Sequence, residues 1–379
     1  MKRTRHIYAI LLSLVFFALM TYVFMNDIFH YYTPPEISIY ENRYLARKPF
    51  WDINRADPYP RAFEDFYNDH FPYRLNLNDF NAGIINYRIL RKSPYPNKVN
   101  IGKNNWLFFE LERPLYQGDF MIDSAQVAAV VGEMHKRAEF FRKKGIKFYF
   151  ISPPAKQELY PEFLPSRFYR CPTGTVTDKI MAKMKQDTSI PYIDLKQPLL
   201  EAKKRGMPLY YKTDTHWNSW GAYFGYLEVM KRMSKDFPSM KPLAESDFTM
   251  SYPVIKGKNL VEVMNLTNYI SDEDVVINVK NSITKTGKLH NYPKHPNSVF
   301  PGEYVRYTGD ASKPRLMVIS DSFVYSIMPF FDEGTSKTVY IYDTGFYGTN
   351  ENIIDDVKPD MVLMIIYEPH LVNLIGIPN

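Results

Sequence analysis

The chain opens with a long apolar run. From Ile7 to Met25 there is no charged residue, and Lys2, Arg3 and Arg5 precede the run. As a helix rising ~1.5 Å per residue, this segment would reach ~28 Å, about one hydrocarbon core. It ends in Thr21-Tyr22-Val23-Phe24-Met25-Asn26-Asp27, without a small-x-small cleavage pattern, so the expectation is an uncleaved signal-anchor rather than a removed signal peptide. Basic residues before such a helix keep the N-terminus in the cytoplasm. The expected topology is a cytoplasmic tail over 1–6, a transmembrane helix over 7–25, and everything later outside the cytoplasm. No later segment is long and apolar enough to return.

The following stretch, 26–96, mixes Pro, Tyr, Asn and charge and reads as a juxtamembrane region with short helices over 61–68 and 76–90, punctuated by Pro34-Pro35, Pro58 and Pro60. From residue 97 the pattern changes. A short strand is predicted at Trp106–Phe109. Ser124 is expected to cap a helix with apolar residues at Val127, Val130, Val131, Met134 and Ala138, the 3.6-residue spacing, ended by Gly145. Apolar strands are predicted at 146–151, 192–195, 316–320, 338–342 and 361–366, and a helix at 220–233. Alternation of this kind implies an α/β fold, three layers with a mostly parallel central sheet, and sites beyond the carboxyl ends of its strands. Residues 243–312 break the rhythm and are expected to form an insertion with small strands inside a domain spanning 97–379. No repeat, low-complexity tract or heptad is present.

Composition narrows the function classes. The formal net charge is +6, with the basic residues scattered among acids, which gives no support for nucleic-acid binding. A single cysteine, Cys171, excludes an intramolecular disulfide and any cysteine-based zinc cluster. Aromatics make up 16% of the chain, which reads mainly as a ring-rich core, with a few rings left for sugar stacking near a site.

Two constellations carry chemistry. In Leu316-Met317-Val318-Ile319-Ser320-Asp321-Ser322-Phe323 an apolar strand runs straight into Asp-Ser, which presents the Ser322 hydroxyl at a strand end where backbone N–H groups can receive an oxyanion. The same residues also suit a plain helix cap. In Asp214-Thr215-His216-Trp217-Asn218 the carboxylate and the imidazole sit two apart, on one side of an extended segment. A polar loop before a helix would look the same. Together the two segments supply nucleophile (Ser322), base (His216) and orienter (Asp214), the set needed for acyl transfer. An Asp-x-His pair offers a metal two ligands. No third stands at a typical spacing, and His290 and His295 lie in a Pro-rich loop, so no metal is expected. Phosphate loops, dinucleotide fingerprints, Gly-x-Ser-x-Gly and His-Glu-x-x-His are absent.

The strings Asp-Thr-His-Trp-Asn and Ser-Asp-Ser-Phe resemble the marks of the alginate O-acetyltransferase AlgX/AlgJ family. Glu41-Asn42-Arg43-Tyr44-Leu45, Asp69-His70-Phe71-Pro72-Tyr73-Arg74, Ile101–Phe108, Pro153-Pro154-Ala155-Lys156 with Tyr160-Pro161, and Lys358-Pro359-Asp360 are similar to further segments of it. The resemblance implies an SGNH-hydrolase-like domain with Asp214, His216 and Ser322 as catalytic triad. Ser320 stands where the family usually has Gly before Asp-Ser, a change expected to alter the tightness of the turn but not the nucleophile, and Tyr367-Glu368-Pro369-His370 stands where it commonly shows Glu-Arg, so those four residues receive no role. With no carbohydrate-binding module after the domain, the chain is expected to be closer to the membrane-anchored members. Lys156 is a candidate for holding an anionic sugar or for lining its loop. Trp217 is a candidate for stacking on a sugar or for wedging the His loop. Tyr160 is a third candidate for substrate contact, and Asn218 reads as a helix cap. The Ser322 N–H is the first oxyanion donor, with the turn Asp343-Thr344-Gly345 as a source of the second.

The expected function is therefore transfer of an acetyl group onto hydroxyls of an exported polysaccharide, by a single-pass protein of the bacterial inner membrane with a periplasmic domain. The resemblance implies a multispanning membrane-bound O-acyltransferase as acetyl donor, and no soluble cofactor. Two alternatives share the sequence features: an extracytoplasmic carbohydrate esterase or deacetylase, and a non-catalytic subunit of a polysaccharide export complex.

Overall fold

The computed structural model describes residues 2–29, 31–32, 37–38, 43–53, 57–120, 122–292, 302–343 and 350–376. Pro34-Pro35, Glu41-Asn42, His295 and Thr344-Gly345, all invoked above, lie outside the described residues. The chain divides into two units, Met1–Pro94 with Glu262–Tyr269, and Tyr95–Val261 with Ile270–Asn379.

In the first unit the apolar run forms the helix Lys2–Phe29, whose segment His6–Asn26 is long and apolar enough to cross a membrane by length and composition. A second helix, Pro58–His70, extends beyond the expected 61–68 at both ends; Pro58 and Pro60 are accommodated in its first turn, where a missing N–H costs nothing. The Asp69 carboxylate accepts the Ala46 N–H at 2.7 Å and ties the preceding segment to this helix. In place of one helix over 76–90 there is an α-helical turn pair, Arg74–Phe80, followed by π-helical winding over Asn81–Ile89. The Asn86 amide donates to the Asn81 carbonyl at 3.0 Å within that wider winding.

The second unit is built on one seven-stranded sheet. Its strands are β1 (Lys147–Ile151), β2 (Tyr192–Ile193), β3 (Lys285–Thr286), β4 (Glu303–Tyr307), β5 (Arg315–Ser320), β6 (Lys337–Tyr342) and β7 (Met361–Ile365), in the order β3-β4-β6-β5-β7-β1-β2. The pairs β6–β5, β5–β7, β7–β1 and β1–β2 are parallel, whereas β3–β4 and β4–β6 are antiparallel. Period-2 alternation distributes each central strand between two cores. Leu316, Val318, Leu363, Tyr149 and Ile151 pack on one face, against the helices α3 (Lys196–Lys204) and α4 (Ser219–Asp236). Met317, Ile319, Val362, Met364 and Phe150 pack on the other, against α1 (Ser124–Lys143), α2 (Val176–Gln186) and α5 (Glu351–Val357). Burial on both faces is why these strands read as unbroken apolar runs.

Several boundaries move. The cap of α1 is Asp123, one residue earlier than expected. Its carboxylate accepts the Gln126 N–H at 2.7 Å while the Gln126 side chain accepts the Asp123 N–H at 3.0 Å, a reciprocal capping box. The strand at 192–195 shortens to two residues because Asp194 turns to accept the Lys196 N–H at the start of α3. The strand at Leu107–Phe109 pairs with Val99–Ile101 in a separate hairpin rather than joining the main sheet. Residues 243–312 are not wholly an insertion. Two hairpins do form, Phe248–Ser251 with Val276–Val279 and Val254–Lys256 with Ser271–Glu273, but the last part supplies β3 and β4 of the main sheet. Only Val305 of β4 belongs to a core cluster, so its sequence lacks the apolar run that marks the central strands.

One glycine fixes how α4 meets the preceding loop. A Cβ on Gly221 would lie 2.2 Å from the Leu209 carbonyl oxygen and 2.8 Å from the Trp217 Cβ. Gly132 in α1 has open space around it. Gly221→Ala is therefore expected to destabilise the fold by ~1–3 kcal/mol through overpacking. Gly132→Ala is expected to stabilise it by ~0.5–1 kcal/mol, the helix-propensity gain. Urea unfolding of the two variants beside wild type checks both signs.

Candidate active site

The carboxyl ends of β1, β5, β6 and β7 lie at one edge of the sheet, and the residues just beyond them build the site. After β5 the chain turns at Asp321 into a short 3₁₀ turn, Ser322–Val324. Asp321 has no exposed surface. One of its carboxylate oxygens accepts the Phe323 N–H at 3.0 Å, and the other accepts the Tyr367 N–H at 2.7 Å from beyond β7. The turn carrying Ser322 is thus tied to the neighbouring strand end as well as to its own helix start. His370 Nδ1 lies 3.3 Å from the same Asp321 carboxylate.

Asp214 and His216 sit in a tight loop closed by a bridge between Tyr210 and Trp217. The Ser322 hydroxyl lies 2.7 Å from His216 Nε2, and His216 Nδ1 lies 2.7 Å from Asp214 Oδ1. Asp214 Oδ1 also accepts the His216 backbone N–H at 3.1 Å, which holds the carboxylate in the plane of approach. Burial alone would lower the imidazole. The Asp214 hydrogen bond and charge, helped by Asp321 and Glu112, outweigh it and hold His216 above its ordinary value. Burial likewise works against the Asp214 carboxylate, but the bond and charge from His216 keep it below its usual range.

Three candidates for substrate contact are interior. Lys156 is 1% exposed and its ammonium donates to the carbonyls of Asp214 (2.6 Å), Tyr211 (3.3 Å) and Lys212 (3.3 Å). All three of its N–H donors are occupied, and the rings of Trp106 and Phe108 lie 5.7 and 5.1 Å away. Burial pushes the lysine down to about 8, while Asp214, Glu112 and Asp272 oppose that shift. Lys156 therefore braces the loop; no donor remains for a sugar. Trp217 is fully buried and its indole N–H donates to the Phe323 carbonyl at 2.9 Å, so it wedges rather than stacks. Tyr160 is also buried, its hydroxyl accepting the Leu209 N–H at 2.9 Å. Asn218 caps α4, its side-chain oxygen accepting the N–H groups of Trp220 and Gly221.

Residues outside the motifs complete the surroundings. Burial, then the Asp321 charge, pushes the phenol of Tyr342, last in β6, up to about 12, against an opposing effect of Ser322, so it stays protonated near neutrality. Register could have pointed to it, since Tyr342 pairs with Ser320 across the parallel ladder. Asp272 accepts from the Thr213 N–H (2.9 Å) and hydroxyl (2.6 Å), and Asp274 accepts from the Tyr211 hydroxyl at 2.5 Å. The 243–312 segment therefore supports the His loop, a role with no local sequence signal. Behind the site, Glu368 accepts from the Ala155 N–H and the Thr177 hydroxyl. Burial, then Glu158, raises it to about 7. His290 lies away from this cluster, paired with Glu303, and its Nε2 is 3.1 Å from Lys337 Nζ.

Strand order, three-layer packing and a site at the parallel strand ends define an SGNH-hydrolase-like domain. The model of the SGNH hydrolase-like domain of the acetyltransferase AlgX matches residues 99–282. The structure of Bacillus cereus PatB1 with a sulfonyl adduct is 18% identical and covers 74% of this chain and 100% of its own, with a TM-score of 0.56. A DHHW family protein from Eubacterium siraeum is 16% identical over 72% of this chain and 91% of its own, with a TM-score of 0.51. Over the matched segment the chain is similar to the AlgX/AlgJ family. Among its curated relatives, the probable alginate O-acetylase AlgJ of Pseudomonas aeruginosa is 32% identical over 42% of this chain and 39% of its own length. The chain thus spans about two-fifths of the curated relatives it matches.

Lys156→Met tests the brace. It removes the donor from three carbonyls at once, and an unsatisfied buried acceptor costs ~1–3 kcal/mol. The expected result is a loss of at least ~2 kcal/mol in urea unfolding. A neutral substitution would show that water takes over the carbonyls.

Proposed function

We propose that Ser322, His216 and Asp214 form a serine-type acyl-transfer centre, and that the protein moves an acetyl group onto a polysaccharide hydroxyl. The observation that carries this reading is the continuous line Ser322 Oγ–His216 Nε2 and His216 Nδ1–Asp214 Oδ1, both links 2.7 Å, at the strand ends. The names of the curated relatives, probable alginate O-acetylases, support an acetyl group and a polysaccharide acceptor. Of the finer parts of the reading, the triad geometry supports a covalent acyl-enzyme, and the resemblance to the AlgX/AlgJ family implies a membrane-bound O-acyltransferase as donor.

In the first half-reaction His216 Nε2 takes the Ser322 proton as Oγ attacks the acetyl carbonyl. The Oγ–C bond forms, the carbonyl oxygen becomes an oxyanion, and the bond to the donor's leaving group breaks as His216 returns the proton to it. In the second half a sugar hydroxyl gives its proton to His216 and attacks the acyl-serine. The new ester forms and Ser322 leaves with the proton. Asp214 holds the ring in the Nδ1–H tautomer and stabilises the imidazolium. The Ser322 N–H and the Tyr342 phenol are the donors assigned to the oxyanion. The helix His6–Asn26 is assigned as a single-pass inner-membrane anchor with its N-terminus inside, and residues 97–379 as a periplasmic catalytic domain.

Turnover of an activated acetyl ester, with and without glycan acceptors, tests the proposal. Ser322→Ala and His216→Ala should reduce it to background, and Asp214→Asn should cost up to ~10⁴-fold by spoiling the tautomer. Tyr342→Phe should lower kcat by ~10²-fold with KM little changed, the effect of losing one oxyanion donor. Because the base must be neutral and its pKa is raised, kcat/KM should climb with pH to a midpoint above the ordinary histidine value of about 6.5. Asp214→Asn should move that midpoint down. Full activity in Ser322→Ala would show that Ser322 only caps the turn. Free acetate without acetylated glycan would make water the acceptor.

A further inference from the structure

The helix Arg74–Phe80 in the first unit is turned inside out for a helix that faces water. Tyr73, Leu77 and Phe80 stand at i, i+4 and i+7, one face of a 3.6-residue helix, and all three are exposed, at 42%, 54% and 55%. The polar Asp79 points the other way. Its carboxylate accepts from the Tyr269 hydroxyl at 3.2 Å and the Asn268 amide at 3.4 Å, both in the same unit. A helix on a water-facing surface normally shows the reverse, with its apolar face inward. An outward apolar stripe on a helix whose carboxylate is held by a neighbouring segment calls for an apolar medium outside.

The stripe begins where the apolar N-terminal helix ends. The Tyr73 ring lies 5.8 Å from that of Tyr22 and stacks on that of Tyr32 at 4.9 Å. The Asn26 side chain locks the chain reversal between them, accepting the Tyr32 N–H at 2.8 Å. Tyr73 holds a left-handed backbone, φ 55°, as the helix starts from this ring cluster. Phe29 and Tyr31, exposed at 54% and 63% and stacked on each other at 5.5 Å, extend the same aromatic collar. Tyrosines are enriched at the level of lipid headgroups, where an apolar body and a polar tip are both satisfied.

We propose that Tyr73, Leu77 and Phe80 form an interfacial foot, lying in the headgroup–acyl boundary of the bilayer that His6–Asn26 spans. The foot rests on the reading of His6–Asn26 as a membrane anchor. Burying Leu77 and Phe80 in lipid removes from water the apolar area that the fold leaves uncovered, and it does so with no second protein. A helix that both spans and is flanked by a short interfacial helix is held at a fixed depth and tilt, which fixes the height at which the following chain leaves the membrane.

The test uses the full chain in lipid nanodiscs. Cys171, the sole cysteine, is replaced by Ser, and single nitroxide labels are placed through Leu77→Cys, Phe80→Cys, Leu14→Cys in the anchor, and Glu201→Cys on the exposed surface of the second unit. Power saturation then compares relaxation by oxygen, which concentrates in lipid, with relaxation by a water-soluble nickel chelate. Labels at 77 and 80 should show an oxygen-to-nickel ratio between the lipid-like value at 14 and the aqueous value at 201. An aqueous ratio at 77 and 80 with a lipid-like ratio at 14 overturns the foot while leaving the anchor intact. An aqueous ratio at 14 overturns the anchor and the foot with it. Labels at 77 and 80 shielded from both reagents would place a second copy or another protein on the stripe and also overturn the proposal.

Discussion

Ser322 and His216 lie 106 residues apart, and the hydrogen bond from the Trp217 indole to the Phe323 carbonyl fixes the distance between their segments. Trp217 is fully buried, so an unmet indole N–H would cost on the order of 1–3 kcal/mol, and the bond is close to obligatory. Each partner is the immediate neighbour of a site residue. The Phe323 ring packs between His216 at 4.8 Å and Tyr367 at 4.3 Å, which sets the orientation of the imidazole from behind. Gly221 permits the approach, since α4 meets the Leu209 carbonyl and the Trp217 side chain where a Cβ would sit.

Around this contact the fold buries four ionisable side chains. Asp321, Lys156, Glu112 and Glu368 are each at most 7% exposed, and each is satisfied by hydrogen bonds that join different elements. Asp321 joins the ends of β5 and β7. Lys156 joins the segment after β1 to the Asp214 loop. Glu112 accepts from the Tyr367 hydroxyl, and burial, offset in part by that bond and by Lys156, raises it. A buried polar network of this kind adds little net stability. Its effect is geometric: it holds side chains that must act together within narrow limits, as preorganised chemistry requires.

The parts legible in the sequence were those whose signal is local. The central strands showed as apolar runs because both faces are covered, and Asp321-Ser322 stood out because it follows such a run directly. Asp214 and His216 were visible as a pair because their spacing is two. What could not be read depends on contacts between distant segments. Tyr342 looked like the end of one more apolar strand, and only its register with Ser320 across the parallel ladder places it beside the strand end that leads to Ser322. Lys156, Trp217 and Tyr160 carry chemistry that suits a sugar site equally well. Their burial, decided by the packing of the Leu209–Asn218 segment, turns them into supports. The strand Glu303–Tyr307 was missed because its antiparallel place beside β6 leaves it with mixed polarity.

The central claim is that Ser322 carries the acyl group covalently. Rapid acid quenching of the full chain after mixing with an activated acetyl ester, followed by proteolysis and mass spectrometry, reads this directly. The account predicts an acetyl group on the peptide bearing Ser322, forming within one turnover and absent from Ser322→Ala and His216→Ala. Acetylation confined to other residues, unchanged in Ser322→Ala while turnover persists, would contradict it.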